Sequence, residues 1–407
     1  MINKILSALF LLVILSCKTE KPGPVSLQQD IAILANDSLQ GRETGTEGEM
    51  MAANYIKQRM ADLGLVPKGN KKDYFQSFTF KPKKDPHQAV KFTDGDSTIT
   101  GTNVIGYIDN QAVTTVVIGA HYDHLGMGGE GSLYREGIAI HNGADDNASG
   151  VGLLLQLAEK LQGRNKRNNY LFIAFSGEEM GLLGSNYFVK NPTIDLSEAN
   201  YMLNMDMVGR LRQDSTLSVS GTGTAPIWNQ VLNASNPGFK LVLSESGVGP
   251  SDHTSFYLQD IPVLHFFTGQ HEDYHKPTDD SDKLNYGGMQ MIGDYILAIV
   301  SELDDQPKLV FKKTKNESEE VPRFKVALGV VPDYLFDGRG MRIDGISEDR
   351  PAQKAGLQKG DIVIQLGDSI VVDMMSYMRA LSSFEEGNTT KVVVDRNGEQ
   401  VAVAVTF

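Results

Sequence analysis

The chain contains one cysteine and one tryptophan in 407 residues. A lone thiol cannot close a disulfide within the chain, so packing and hydrogen bonding must hold the fold together. Basic residues are also scarce, with 38 Lys and Arg against 51 Asp and Glu and a formal charge of −13. No broad basic stripe exists to meet phosphates, which argues against a nucleic-acid partner. Long apolar runs are missing beyond the first residues, and no solenoid-type repeat is present. What remains is an ordinary globular composition, 41% hydrophobic and 22% charged, in a chain long enough for two cores.

The N-terminus forms its own unit. Lys4 precedes the apolar run Ile5–Leu15, which falls short of the ~20 residues that a spanning helix needs. Ile14-Leu15-Ser16-Cys17 closes the run and resembles the lipobox of bacterial lipoproteins. That resemblance implies a signal peptide over residues 1–17, cleavage before Cys17 and a lipid on its sulfur. The expected location is the outside of a bacterial cell membrane, periplasmic or at the cell surface, with the chain anchored rather than spanning. Residues 18–25 then read as a tether.

From Ser26 the pattern becomes globular. Met50, Ala53, Ile56, Met60 and Leu63 give Glu49–Leu63 the spacing of an amphipathic helix, stopped by Gly64. Strands are expected at Thr114–Ala120, Tyr170–Phe175, Tyr201–Met205 and Ile261–Phe267, with helices at Gly150–Leu161 and Met289–Leu303. Buried strands alternating with helices predict an α/β fold, a mixed sheet sandwiched by helices, over residues 26–304. The charged stretch after Asp304 has no apolar period, so 305–321 reads as a linker. A compact β-rich unit follows over 322–407.

Metal-binding residue types recur where the strands end. Thr114–Ala120 runs into His121-Tyr122-Asp123, Tyr170–Phe175 into Gly177-Glu178-Glu179, and Tyr201–Met205 into Asp206. Ligands of open α/β sheets sit at the carboxyl ends of strands, so these side chains should converge. Gly143-Ala144-Asp145-Asp146-Asn147-Ala148-Ser149-Gly150 supplies an acidic turn before a helix, and His275 lies beyond Ile261–Phe267. Taken singly, His121 could be structural, Glu178-Glu179 solvated and Asp145-Asp146 a helix cap. Together, two histidines and three carboxylates from five segments suit zinc, and one shared carboxylate would let two ions act as a pair.

These motifs resemble the zinc aminopeptidase family that includes bacterial leucyl aminopeptidases, with glutamate carboxypeptidases and glutaminyl cyclases as relatives. Leu39-Gln40-Gly41-Arg42 and Gly45-Thr46-Glu47-Gly48 add to the likeness, as does Tyr274-His275-Lys276-Pro277-Thr278-Asp279-Asp280. The resemblance implies the zinc exopeptidase fold and two Zn2+ ions. Asp145 would bridge them, with His121 and Asp206 completing one site and Glu179 and His275 the other. Asp123 would orient His121, Glu178 would be the catalytic general base, and the Asp145–Asp146 peptide bond would be cis. Tyr274 and His253 are candidates for steadying the tetrahedral oxygen. His265 reads as a core residue, while His124, His141, His253 and His271 lie near the ligand segments, where each could support a ligand or face substrate.

In the C-terminal unit, Ala355-Gly356-Leu357-Gln358-Lys359-Gly360-Asp361-Ile362-Val363 resembles a PDZ domain. Asp373–Phe384 would wall a peptide groove, Ala327-Leu328-Gly329-Val330 would hold a peptide carboxylate, and Asn397-Gly398 would turn a closing hairpin. Pro332 departs from the pattern, because it cannot donate a ladder hydrogen bond in the groove-lining strand. The expected partners are therefore peptide substrates, a peptide or protein C-terminus at this module, the membrane through Cys17, and no nucleic acid. The expected function is di-zinc aminopeptidase action. Its rivals are a carboxypeptidase, a single-zinc cyclase-like acyltransferase and a scaffold without catalysis.

Overall fold

The computed structural model describes residues 25–82, 92–93, 95, 97–129, 131–314, 325–333, 335–336, 338–347 and 349–407. The signal sequence and Cys17 lie outside the described residues. Two sheets organise the chain. The first has nine strands: β1 (Val66–Pro67), β2 (Phe75–Phe80), β3 (Ile99–Ile108), β4 (Thr114–His121), β5 (Asn168–Phe175), β6 (Ala199–Met205), β7 (Thr216–Ser220), β8 (Lys240–Ser244) and β9 (Val263–Phe267). Their order is β1-β3-β5-β4-β6-β9-β7-β8, with β2 paired to β3. The four central strands β5, β4, β6 and β9 are mutually parallel, so their carboxyl ends share one edge. The antiparallel strands flank them.

Apolar, largely β-branched or aromatic runs such as Val116-Val117-Ile118 and Leu171-Phe172-Ile173 are buried on both faces, as a sheet covered on two sides requires. One face packs on helices Leu27–Leu34, Glu47–Asp62, Gly150–Leu161, Trp228–Ser235 and Tyr286–Leu303. The other packs on Leu183–Lys190 and His253–Tyr257 through Phe188, Val189 and Phe256. Thr46 caps the Glu47–Asp62 helix by accepting from the Glu49 N–H at 3.3 Å. No helix among the described residues is long and apolar enough to cross a membrane.

The second sheet is antiparallel and carries β10 (Val330–Pro332), β11 (Met341–Ile346), β12 (Ile362–Leu366), β13 (Ser369–Ile370), β14 (Thr389–Arg396) and β15 (Glu399–Thr406). Strand β10 is an edge strand whose pairing with β11 slips at Val331/Pro332, where proline ends it. Helix Met374–Leu381 is capped by Asp373, which accepts from the Ser376 N–H at 2.7 Å. Asn397-Gly398 joins β14 to β15, both in the left-handed region that a tight hairpin needs.

The expected linker does not begin as a tether. Lys312 N–H donates to Thr224 O at 2.8 Å, Phe311 packs against Tyr257, and Thr314 bonds the Tyr257 hydroxyl. Charge at Lys312-Lys313 hid this apolar contact. The two units also touch directly, since Arg212 reaches Asp333 and Asp344 at 3.3 Å each.

Candidate metal centre

Arg42 organises the centre from behind. Its guanidinium is fully buried and donates to the carbonyls of Tyr122 at 2.7 Å, Asn142 at 2.7 Å, Gly143 at 3.0 Å and Leu34. One cation thereby ties the His121–Asp123 turn to the Gly143–Ser149 turn. Gly41 lets the chain approach that closely, because a Cβ there would fall 2.4 Å from Gly126 O at a φ of +69°.

The Gly143–Ser149 turn is fixed by long-range hydrogen bonds. Asp279 Oδ2 accepts from the N–H groups of Asp145 at 2.9 Å and Asp146 at 3.1 Å. Burial and the neighbouring Asp145 push the Asp279 carboxyl up to about 6. Asn147 accepts from Met207 N–H at 3.1 Å and donates to Met205 O at 3.0 Å, joining the turn to the end of β6.

Asp146, rather than Asp145, faces the cluster. Both oxygens of Asp145 are engaged elsewhere, Oδ1 by Gly209 N–H at 2.6 Å and Oδ2 with His271 Nε2 at 3.1 Å. The assignment of the bridging position to Asp145 is therefore corrected by one residue. The cis peptide shifts with it and joins Asp146 to Asn147. Asp146 Oδ1 lies 3.3 Å from His121 Nε2, which is 3.4 Å from Asp206 Oδ1. Asp146 Oδ2 lies 3.2 Å from His275 Nε2, which is 3.4 Å from Glu179 Oε2.

His124, expected from the sequence only to support a ligand or face substrate, stands among the ligand atoms themselves. Its Nδ1 sits 2.8 Å from Glu179 Oε1 and 4.0 Å from Asp146 Oδ2, and its Nε2 has no partner among the described residues. Two groups result whose ligand atoms lie within 4.8 Å of one another: His121, Asp146, Asp206 and His124, Asp146, Glu179. The spacing His121-x-Asp123-His124 holds the only advance signal, a second imidazole at the same strand end.

The remaining site residues have separate tasks. Asp123 accepts from the N–H groups of Glu178 at 3.1 Å and Glu179 at 3.3 Å, and its carbonyl lies 3.2 Å from His121 Nδ1. It holds the Glu178-Glu179 turn against the His121 ring. Glu178 Oε2 lies 4.0 Å from His121 Nε2, outside both ligand groups. Burial raises its carboxyl well above the usual range, with Asp206 and Glu179 adding to the rise against His121. His253 is removed as a contact for substrate, because it is fully buried and stacked on His265 with centroids 4.5 Å apart. Tyr274 stacks on His275 at 3.8 Å and lines the crevice beside it.

The donor set fits divalent zinc. Carboxylates and imidazoles converge at ligand spacing. Burial would push the His275 imidazolium down, yet Glu179 and Asp146 lift it to about 11. A cation is what such a cluster stabilises.

Residues 103–300 match the sequence profile of Peptidase family M28, and residues 311–407 match that of the PDZ domain. Aminopeptidase YwaD of Bacillus subtilis is 28% identical over 278 residues, covering 64% of this chain and 56% of the relative. The alkaline phosphatase isozyme conversion protein of Escherichia coli is 29% identical over 188 residues, 45% of this chain and 51% of the relative. The chain thus spans little more than half the length of these two curated relatives. Among solved structures, BSAP, a zinc aminopeptidase from Bacillus subtilis, superposes with a TM-score of 0.54 at 19% identity. That match covers 72% of this chain and 99% of the other. A glutaminyl cyclase from Bacteroides thetaiotaomicron gives 0.55 at 18% identity, covering 68% and 96%. At these identities the superpositions establish the fold.

Proposed function

We propose that this chain, whose residues 103–300 belong to peptidase family M28 and whose residues 311–407 form a PDZ domain, is a di-zinc aminopeptidase. The observation that carries the proposal is Asp146, each of whose oxygens faces a separate His–carboxylate group. His121, Asp206 and Asp146 would hold one ion. Glu179, Asp146 and His275 would hold the other, with His124 within reach of the same position. Two bound zinc ions would lower the pKa of water toward ~7 and polarise the scissile carbonyl.

The chain's own residues supply the proton chemistry. Glu178 sits beside the His121 group but is a ligand in neither, and the cations bound next to it would draw its raised carboxyl back to the ionised form that takes the proton of the attacking water. It then returns that proton to the leaving amine. Asp123 keeps this carboxylate in place through the Glu178 N–H and keeps His121 in one orientation. A single-zinc cyclase would leave one of the two groups without a task.

Cleavage at the N-terminal residue is favoured by the named relative, an aminopeptidase. The test is hydrolysis of leucine anilide and of N-acetylated and C-amidated peptides, each with and without chelator. Activity that needs a free amine and is lost on chelation supports the proposal. Hydrolysis that instead needs a free carboxylate would replace it with carboxypeptidase action.

The membrane anchor is proposed on the N-terminal sequence, where Ser16-Cys17 closes an apolar run. Cys17→Ala should move the protein from the membrane pellet to the supernatant. A variant that still pellets would contradict a lipid on Cys17.

A further inference from the structure

The C-terminal domain is seated on the loop that carries His271 and His275. Leu335 is buried, and a Cβ on Gly269 would fall 2.7 Å from its Cδ1, so the domains touch where that loop leaves β9. Asp333 is buried beside it, and its carboxylate accepts from Arg342 of its own domain and from Arg212 of the other. Separating the domains would strip this buried carboxylate of one guanidinium, which holds the seating in place. Gly269 lies two residues before His271, whose Nε2 is 3.1 Å from Asp145 Oδ2.

Beside this contact the domains enclose a crevice of about 220 Å3. Leu133, His271 and Tyr274 line it from the first domain, and Val331 and Gly345 line it from the second. The crevice adjoins the metal centre. The Tyr274 ring stacks on that of His275 at 3.8 Å, and Leu133 N–H donates to His275 O at 3.0 Å. Pockets that take a whole small molecule measure roughly 300–1,000 Å3, so this space suits a single side chain.

Strand alternation explains how the second domain supplies a wall, since successive side chains point to opposite faces. Val330 packs on the apolar core of its own domain, and Val331 therefore faces the other way, into the crevice. Val331 pairs with Gly345 across β10 and β11, and a Cβ on Gly345 would stand 3.3 Å from the Val331 side chain. Glycine at that position keeps the floor beside Val331 open. Leu133 and Val331 are half-buried, yet neither packs into an apolar core among the described residues. Two such side chains from different domains, lining one space, suit an apolar occupant.

We propose that the C-terminal domain completes the substrate site, a step that rests on the aminopeptidase reading of the metal centre. Val331 is a specificity-determining residue, which with Leu133 and Tyr274 holds an apolar side chain of the peptide being cleaved. That side chain belongs to the first or the second residue of the substrate, the two that flank the scissile bond. No peptide is needed along the other face of β10.

The test is hydrolysis of two dipeptide series by the full chain, X-Ala and Ala-X, with X as Ala or Leu. The first series varies the first side chain and the second series the second. In at least one of them the wild type should favour Leu over Ala in kcat/KM. One methylene in an apolar pocket is worth roughly 10–200-fold, so Val331→Ala should lower that preference by about tenfold. Gly345→Val should lower it too, by filling the space that Leu enters. A loss of folding or of metal slows the Leu and Ala substrates alike, so the ratio separates contact from structure, and melting curves follow folding independently. The series that responds identifies which residue of the substrate occupies the crevice. A wild-type preference at or below one in both series would overturn the proposal. So would a preference that Val331→Ala leaves unchanged in both, and in either case the peptidase reading survives. No hydrolysis of either series by the zinc-loaded wild type would remove the aminopeptidase reading and the proposal together.

Discussion

The two domains bury different things. Beneath the first sheet, Arg42, Glu49, Asp123, Asp145, Asp146 and Asp279 are all buried, and each shares hydrogen bonds with distant segments. Beneath the second, the core is Leu328, Ile343, Val363, Leu366, Val392 and Val394. Its buried acids, Asp333 and Asp361, pair with arginines at the rim, Arg342 and Arg396. A buried charge costs stability unless its partners are complete, so the first domain gives up freedom of sequence to hold its ligands in place. The second needs shape and volume in its core, with its two buried acids closed by arginines at the rim.

That contrast can be broken by mutation. The largest effect is expected at Glu178, where Glu178→Gln should lower kcat by ~10²–10⁴-fold while metal content and melting temperature stay unchanged. Loss of metal together with activity would make Glu178 a ligand and remove the distinction between base and cluster. Next is Arg42→Ala, which takes a donor from four carbonyls, of which Gly143 O keeps the Ala148 N–H. Each unsatisfied buried group costs ~1–3 kcal/mol, so thermal unfolding of the first domain should shift well down and metal affinity should fall with it. A stable, fully loaded variant would show that the two turns hold themselves.

A smaller effect is expected from Leu366→Ala, a cavity in the apolar core at about 2–5 kcal/mol. It should lower the melting transition of the C-terminal domain and leave zinc content alone. If zinc were lost as well, the interdomain contacts at Arg212 and Gly269–Leu335 would be carrying the metal centre.

Much of this was legible before the structure. Strands β4, β5, β6 and β9 and the helix Gly150–Leu161 have strong apolar patterns, and their ends placed His121, Glu178, Glu179 and Asp206 at one edge. The turns at Gly356, Gly360 and Asn397-Gly398 were readable because each needs a left-handed backbone. Strands β2 and β3 escaped notice, since Gln76, Gly101, Asn103 and Gly106 interrupt their apolar pattern.

The choice between Asp145 and Asp146 was not readable at all. Adjacent carboxylates have the same composition and the same neighbours. Which one turns inward is settled by Gly209, His271 and Asp279, which lie 64, 126 and 134 residues further along the chain. His124 was hidden for a similar reason, as its neighbour Glu179 comes from another strand end.

The central claim is that Asp146 joins two metal sites while Asp145 only shapes the turn. Zinc content per chain, measured by elemental mass spectrometry on the wild type, Asp146→Asn and Asp145→Asn, tests it most directly. The wild type should hold two ions. Asp146→Asn should retain fewer than one, whereas Asp145→Asn should stay loadable with affinity weakened by ~10–100-fold, as for residues that position a ligand. Two ions in Asp146→Asn, or none in Asp145→Asn at saturating zinc, would contradict the account.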